Sequence, residues 1–326
     1  MDDTDRKLLI LIGENPRFHF RELAQTLRIS RQAVHHRLKV LMKAGIVRGH
    51  YAGVSVAYSN AIPVAVCGRS RTASIDETLD ELGGSELVRR VVVAGGNHLY
   101  VIGYLREISE LDRFAEFVRR TAEMPDPLVG IYCLDDGLMP HYFVDGSARD
   151  RDDYRALTPL DLKIIAAIKD DARKPIAEVA QSIGVSNKTV RRHLTSMISE
   201  GSLELQTVVD LGSGGDLFFI MHVQLENGAD KRAVGRRLLS RDYFRDQYIR
   251  TFSNIPGLLM WVFWSQDINH VRTALNETEE DADVRSVTLN FAYLERVYHT
   301  TWLDKMPGIP PKKPMPRKAK SGSGKR

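Results

Sequence analysis

Cysteine is nearly absent: the 326 residues hold only Cys67 and Cys133, both inside apolar, strand-like runs. Neither has a histidine or second cysteine at metal-ligand spacing, so they read as buried free thiols. That excludes a disulfide framework and a zinc finger, and fits a reducing compartment. No apolar run approaches the ~18 residues of a membrane-spanning helix, so no membrane partner is expected. The opening MDDTDRK is acidic and polar where a secretory signal would be basic and then apolar, and a cytoplasmic location follows as the expectation. A P-loop, a GxSxG elbow, an HExxH helix and any zinc pattern are also missing. His98, His222, His270 and His299 are grouped with no partner by any spacing. The sequence therefore points to no catalytic residue, no metal and no cofactor.

The net charge of +4 is unevenly placed. Residues 304–326 hold eight Lys/Arg against one Asp, and residues 1–50 hold ten against five. Residues 157–206 are close to balanced, with seven against six, which leaves the remainder near −9. Positive charge thus gathers on the N-terminal stretch and the tail, where a phosphate backbone could be met.

The chain is organised around residues 20–45, FRELAQTLRISRQAVHHRLKVLMKAG. Phe20, Leu23, Ala24 and Leu27 form an apolar stripe at helical spacing, and Ser30 is placed to cap a second helix. There Val34, Leu38 and Leu41 recur at i, i+4 and i+7, while Arg31, Gln32, His35, His36, Lys39 and Lys43 take the opposite face. One buried stripe and one basic, amide-bearing face are what a helix-turn-helix presents to a major groove. The pattern occurs twice. A shift of 156 residues aligns 5–47 with 161–203 without a gap, setting Ser30 on Ser186, Val34 on Val190, Leu38 on Leu194 and Gly45 on Gly201. This is an internal duplication.

Between the two copies, residues 54–134 alternate as strand, helix, strand, strand, helix, strand. The strands fall at 64–67, 87–93, 99–105 and 128–134. Ile75, Leu79 and Leu82 mark one helix, and Ile108, Leu111, Phe114 and Val118 the other. That order is the ferredoxin-like βαββαβ unit, and it returns after the second helical module. The expected organisation is α+β, two winged/helix-turn-helix DNA-binding domains alternating with two ferredoxin-like βαββαβ domains. Its boundaries are 1–53, 54–134, a linker at 135–156, 157–210, 211–303 and a basic, Pro/Lys-rich disordered tail at 304–326. A polar turn at 212–216 separates the second pair.

A helix-turn-helix of the form DRKLL…LA…ISRQAVHHRLKVLMKAGIV followed by βαββαβ resembles the leucine-responsive regulatory protein and asparagine regulator (Lrp/AsnC) family. The resemblance covers each half separately. It implies a transcription regulator whose βαββαβ domains pair, assemble into homo-oligomers and hold a small-molecule effector. Two copies in one chain depart from the single-copy pattern and imply a pseudo-dimer built within one polypeptide. The family's effector loop commonly reads Gly-x-x-Asp. The first copy has Gly95-Gly96-Asn97-His98, making His98 the candidate effector contact, and the second has Asn254-Ile255-Pro256-Gly257.

Base readout needs side chains able to make two hydrogen bonds to a base edge. In double-stranded DNA binding Arg31 and Gln32 are placed to read bases, with His35 and His36 one turn later. Asn187, Lys188, Arg191 and Arg192 are the candidates of the second copy. Arg37 sits beside the core stripe and suits a structural or phosphate role. Lys39, Lys43 and His193 suit phosphate contacts or solvated charge. The two faces differ, so a specific site should have dissimilar halves. Two rival readings remain: an architectural protein coating DNA without specificity, and a tetrapyrrole decarboxylase-like enzyme on the same fold.

Overall fold

The structure, a computed structural model, describes residues 1–59, 61–133, 138, 156–210, 217–241, 244, 247–265 and 267–298. The expected linker (Leu138 and Ala156 apart), the turn at 212–216, His299 and the tail lie outside the described residues. The first repeat runs α1 (Asp3–Glu14), α2 (Phe20–Leu27), α3 (Arg31–Lys43), β1 (Val47–Val54), a short α4 (Val56–Ser59), β2 (Ile62–Arg69), α5 (Ile75–Gly83), β3 (Val88–Ala94), β4 (His98–Leu105), α6 (Leu111–Thr121) and β5 (Leu128–Ile131). The second runs α7 (Pro159–Ile168), α8 (Ile176–Ile183), α9 (Asn187–Ser199), β6 (Leu203–Val209), β7 (Leu217–Leu225), α10 (Lys231–Leu239), β8 (Gln247–Thr251), β9 (Leu258–Ser265), α11 (Ile268–Glu279) and β10 (Val284–Val297).

The duplication extends to the helix caps. Asp2 and Thr158 close capping boxes on α1 and α7 with Asp5 and Asp161, satisfying N–H groups that a helix start leaves free. Ser30 and Ser186 cap α3 and α9, each accepting at 3.1 Å from the N–H three residues on. At the turn between the paired helices the backbone goes left-handed at Arg28 (φ 55°) and at its equivalent Gly184 (φ 74°).

The strand that follows α3 and the one that follows α9 pair across the repeat. β1 and β6 form a two-stranded antiparallel sheet, with Val47 opposite Val209 and Val54 opposite Leu203. β1 starts in the core of its own module with Val47 and ends in the other's with Ala52 and Val54. β6 does the reverse, its Val209 packing against the first module. Each module is therefore completed by a strand of the other.

The remaining strands form one sheet in the order β5-β2-β4-β3-β10-β7-β9-β8, two βαββαβ sets joined where β3 meets β10. β10 holds its own set through β7 and then continues along β3. At the other ends, Tyr132 bridges Phe252, and the Asn254 side chain brackets β5 by donating to the Val129 carbonyl and accepting from the Ile131 N–H, both at 2.8 Å. The sheet thus returns on itself as an eight-stranded barrel. Strand alternation shows why the apolar runs are nearly continuous. In β9, Leu259, Trp261 and Phe263 face α10 and α11, while Leu258, Met260 and Val262 face the barrel interior with Ala65 and Cys67 of β2.

Four details differ from the sequence reading. Ile108 precedes α6 in a 3-10 turn and is 55% exposed, so it is no part of the core stripe. Cys133 is only half-buried, whereas Cys67 is enclosed and burial pushes its thiol up to about 12, an unreactive state. Leu138, expected in a solvated linker, is buried against the second βαββαβ core, where its carbonyl accepts from the Ile249 N–H. His193, read as a phosphate contact or solvated charge, instead lies 2.7 Å from buried Asp161.

Candidate nucleic-acid interface

Val34, Leu38 and Leu41 anchor α3 in its module, and this fixes what the opposite face presents. Arg31, Gln32, His35, His36, Lys39 and Lys43 are all exposed. Arg31, Gln32, His36 and Lys39 make no hydrogen bond or ion pair among the described residues. Arg37, on the flank, is different: it donates at 2.7 Å to both Asp2 and Asp5 and so ties α3 to the start of α1. His193 and Asp161 are the equivalents of Arg37 and Asp5, so the same strut is built twice with different chemistry.

α9 repeats the arrangement. Val190, Leu194 and Met197 are buried, and Asn187, Lys188, Arg191 and Arg192 are exposed without a hydrogen bond or ion pair among the described residues. Elsewhere many arginines of the fold have acidic partners, as in Arg90–Glu295, Arg106–Glu86 and Arg237–Asp281. Both exposed helix faces thus carry basic side chains without a hydrogen bond or ion pair among the described residues. Met42 and its equivalent Ile198, on the last turns of these helices, are also exposed, at 48% and 37%. Sequence periodicity gave no hint of them.

A groove of about 650 Å³ runs between the starts of α2 and α3, bordered by His19, Arg21, Arg31, Gln32 and His35. Phe20 forms its base. Its ring meets His35 edge-on at 5.6 Å, and the guanidinium of Arg173 from the second module lies 4.8 Å over it. Phe20 reads in the sequence only as a core residue. Its second role, seating His35 and receiving Arg173, depends on a contact between residues 153 positions apart. Arg17 and Arg173 each reach the other module's backbone: Arg17 donates to the Ala172 and Lys174 carbonyls, and Arg173 to Pro16. Beneath them His50 donates from Nδ1 to Thr207 Oγ1 at 3.0 Å, since that hydroxyl donates its own proton to the Ile12 carbonyl. Burial, and secondly the Arg173 charge, hold His50 down at about 4.

His98 is not on this face. It begins β4 after the left-handed Gly96 and Asn97, and points among Tyr100, His222 and Asn290. Tyr100 Oη sits 3.0 Å from His222 Nε2 and accepts from Asn290 Nδ2 at 2.9 Å. Burial lowers His98, and burial together with the His98 charge holds His222 at about 4. No spacing in the sequence joins these two histidines, because the barrel brings them together from opposite halves. Among the described residues no three His, Cys, Asp or Glu groups converge as a metal site would require, and no helix is long and apolar enough to cross a membrane.

A family model described as winged helix-turn-helix DNA-binding matches residues 1–48 and again 157–203. The chain is 30% identical over 149 residues to the HTH-type transcriptional regulator Ptr1 of Methanocaldococcus jannaschii, a match covering 45% of this chain and 97% of that protein. It is 28% identical over 100 residues to the HTH-type transcriptional regulator LrpA of Pyrococcus horikoshii, covering 30% of this chain and 71% of that one. In structure it is similar to the siroheme decarboxylase NirDL, with a TM-score of 0.58, 17% identity, and coverage of 93% of this chain and 98% of that one. At that identity the likeness is one of fold.

Proposed function

The chain belongs to the Lrp/AsnC family of helix-turn-helix DNA-binding transcription regulators, and we propose that a single chain reads one duplex with two unlike recognition helices. Arg31 and Gln32 take base edges in one half-site, followed by His35 and His36. Asn187 and Arg191 take them in the other. Lys39, Lys188 and Arg192 neutralise phosphates. One observation carries this reading: both exposed faces hold basic and amide groups that the fold itself leaves unpaired. Further assembly of copies and a response to a small effector are proposed from family membership, with His98, whose buried Nε2 has no partner among the described residues, retained as a candidate effector contact.

We also propose that the chain is a regulator and not an enzyme, since its sequence relatives are named as transcriptional regulators. The His98–Tyr100–His222 cluster is what favours a decarboxylase reading, and it borders neither the groove beside α3 nor the cavity described below.

Selection from random DNA with the full chain tests the proposal. The expected site has dissimilar halves. Arg31→Ala with Gln32→Ala relaxes one half and Asn187→Ala with Arg191→Ala the other, each lost base contact costing about 1–3 kcal/mol. Equal affinity for selected and random DNA across salt concentrations would make the chain an architectural binder. Binding to neither, with turnover of siroheme, would make it an enzyme.

A further inference from the structure

A second cavity lies where the helix-turn-helix layer meets the end of the barrel, between α1 and β6 on one side and β3, β7, β8, β9 and β10 on the other. Its volume is about 220 Å³. A cavity of about 150 Å³ accepts benzene, and sites for drug-sized ligands begin near about 300 Å³. The space therefore suits one ring with a short substituent.

The walls define the chemistry. Phe218, Tyr248 and Trp264 make a continuous aromatic surface, with Trp264 4.7 Å from Phe218 and 6.3 Å from Tyr248. Facing it are Arg90, Glu295 and Glu204. Arg90 and Glu295 are paired at 2.9 Å with little exposure. Glu204, half-buried on β6, makes no hydrogen bond or ion pair among the described residues, and the charge it feels is that of Arg90. Of the other charged groups of the lining, Arg6 pairs with Asp3 at 2.8 Å and Asp210 with Arg48, and Met1 brings the N-terminal ammonium. The interior thus holds two carboxylates against one guanidinium, with π-faces opposite. A half-buried carboxylate beside aromatic faces favours an organic cation.

We propose that this cavity is a binding site for a small aromatic ammonium compound, its ammonium on Glu204 and its ring against Trp264, Tyr248 and Phe218. Such a ligand bridges the barrel to β6, the strand that directly follows recognition helix α9 and completes the first module. Arg89 of β3 already spans the same junction by donating to Gln206 of β6 at 3.1 Å. A regulatory consequence for DNA affinity rests on the function proposed above; the site itself does not.

The test uses the full chain without DNA, so its failure is distinct from failure of the DNA-binding reading. Phenethylammonium chloride is titrated by calorimetry and by tryptophan fluorescence, beside the isosteric neutral 2-phenylethanol and the anionic 3-phenylpropanoate. One saturable site per chain is expected, with the ammonium tightest and the carboxylate weakest. Glu204→Gln should weaken the ammonium about ten- to a hundredfold, the range of a charge-assisted hydrogen bond, while leaving thermal unfolding of the unliganded chain in place. Trp264→Leu should remove the fluorescence change. The site as assigned is overturned by absence of saturable binding, by an alcohol that binds as tightly as the ammonium, or by unchanged affinity in Glu204→Gln.

Discussion

Arg17 and Arg173 occupy equivalent positions of the two repeats and cross over, each guanidinium donating to backbone carbonyls beside the other. Burial lowers both pKa values, and the Arg17 charge lowers Arg173 further, so two cations are held close at the pseudo-dyad. Asp171 opposes this for both. The exchange fixes one helix-turn-helix against the other, and Arg173 extends it to Phe20 and thus to His35 on the exposed face of α3.

Removing one member of that pair should be costly. Arg173→Ala loses a carbonyl contact and the stack on Phe20, and about 1–3 kcal/mol of stability is expected to go with them. Urea unfolding of Arg173→Ala, Arg17→Ala and the double variant gives the coupling. Strictly additive effects would mean the two arginines act separately.

The buried histidines set an acid limit. His50 and His222 are each held at about 4 in the fold against 6.5 in the unfolded chain. Between those values the unfolded state binds more protons, so their contribution is complete above about pH 6.5 and is lost as pH falls towards 4. Each is worth on the order of 3 kcal/mol across the window. Urea midpoints at pH 7, 5.5 and 4.5 should fall steeply for the parent chain and less for His50→Gln with His222→Gln. Parallel curves would refute the assignment.

Arg28 carries a backbone conformation that its equivalent reaches with glycine. A β-carbon in the left-handed region costs about 1 kcal/mol, so Arg28→Gly should raise the urea midpoint and leave sequence preference unchanged. A lower midpoint would mean that the Arg28 side chain holds the turn by some other contact.

Gly130 marks the barrel closure. A β-carbon there would collide with the ring of Phe252, which is fully buried and stacked on Tyr132 at 5.0 Å. Gly130→Ala should destabilise by about 1–3 kcal/mol, read in thermal unfolding, whereas the same change at Gly13, where the space is open and the backbone helical, should stabilise by about 0.5–1 kcal/mol.

The helical modules were legible because their information is local. Ser30, Val34, Leu38 and Gly45 lie within a few turns of one another, and the second copy repeats them. Strand order was equally readable from alternating apolar runs. Partnership was not: nothing near Ala52 or Val54 says that they finish the core of a module more than a hundred residues away. Nor does anything near Trp264 say that it faces Glu204. His98 and His222 failed to group for the same reason, since each is an ordinary strand residue until the barrel closes. Arg17 falls on Arg173 under the 156-residue shift, but a matched arginine gives no sign of crossing to the opposite copy.

The reciprocal completion of the two modules by β1 and β6 also governs how occupancy scales with copy number. A regulator assembled from separate subunits loses its two-headed form on dilution, and its DNA occupancy then rises with the square of concentration. Here both heads are produced in one translation event, so that dilution term is absent and occupancy should follow the first power down to a few molecules per cell. Exchange of a head with a related regulator would first require the strand linkage to open. The two helix-turn-helix modules are therefore inherited as a fixed couple, and each is free to drift away from the other's sequence without losing its mate.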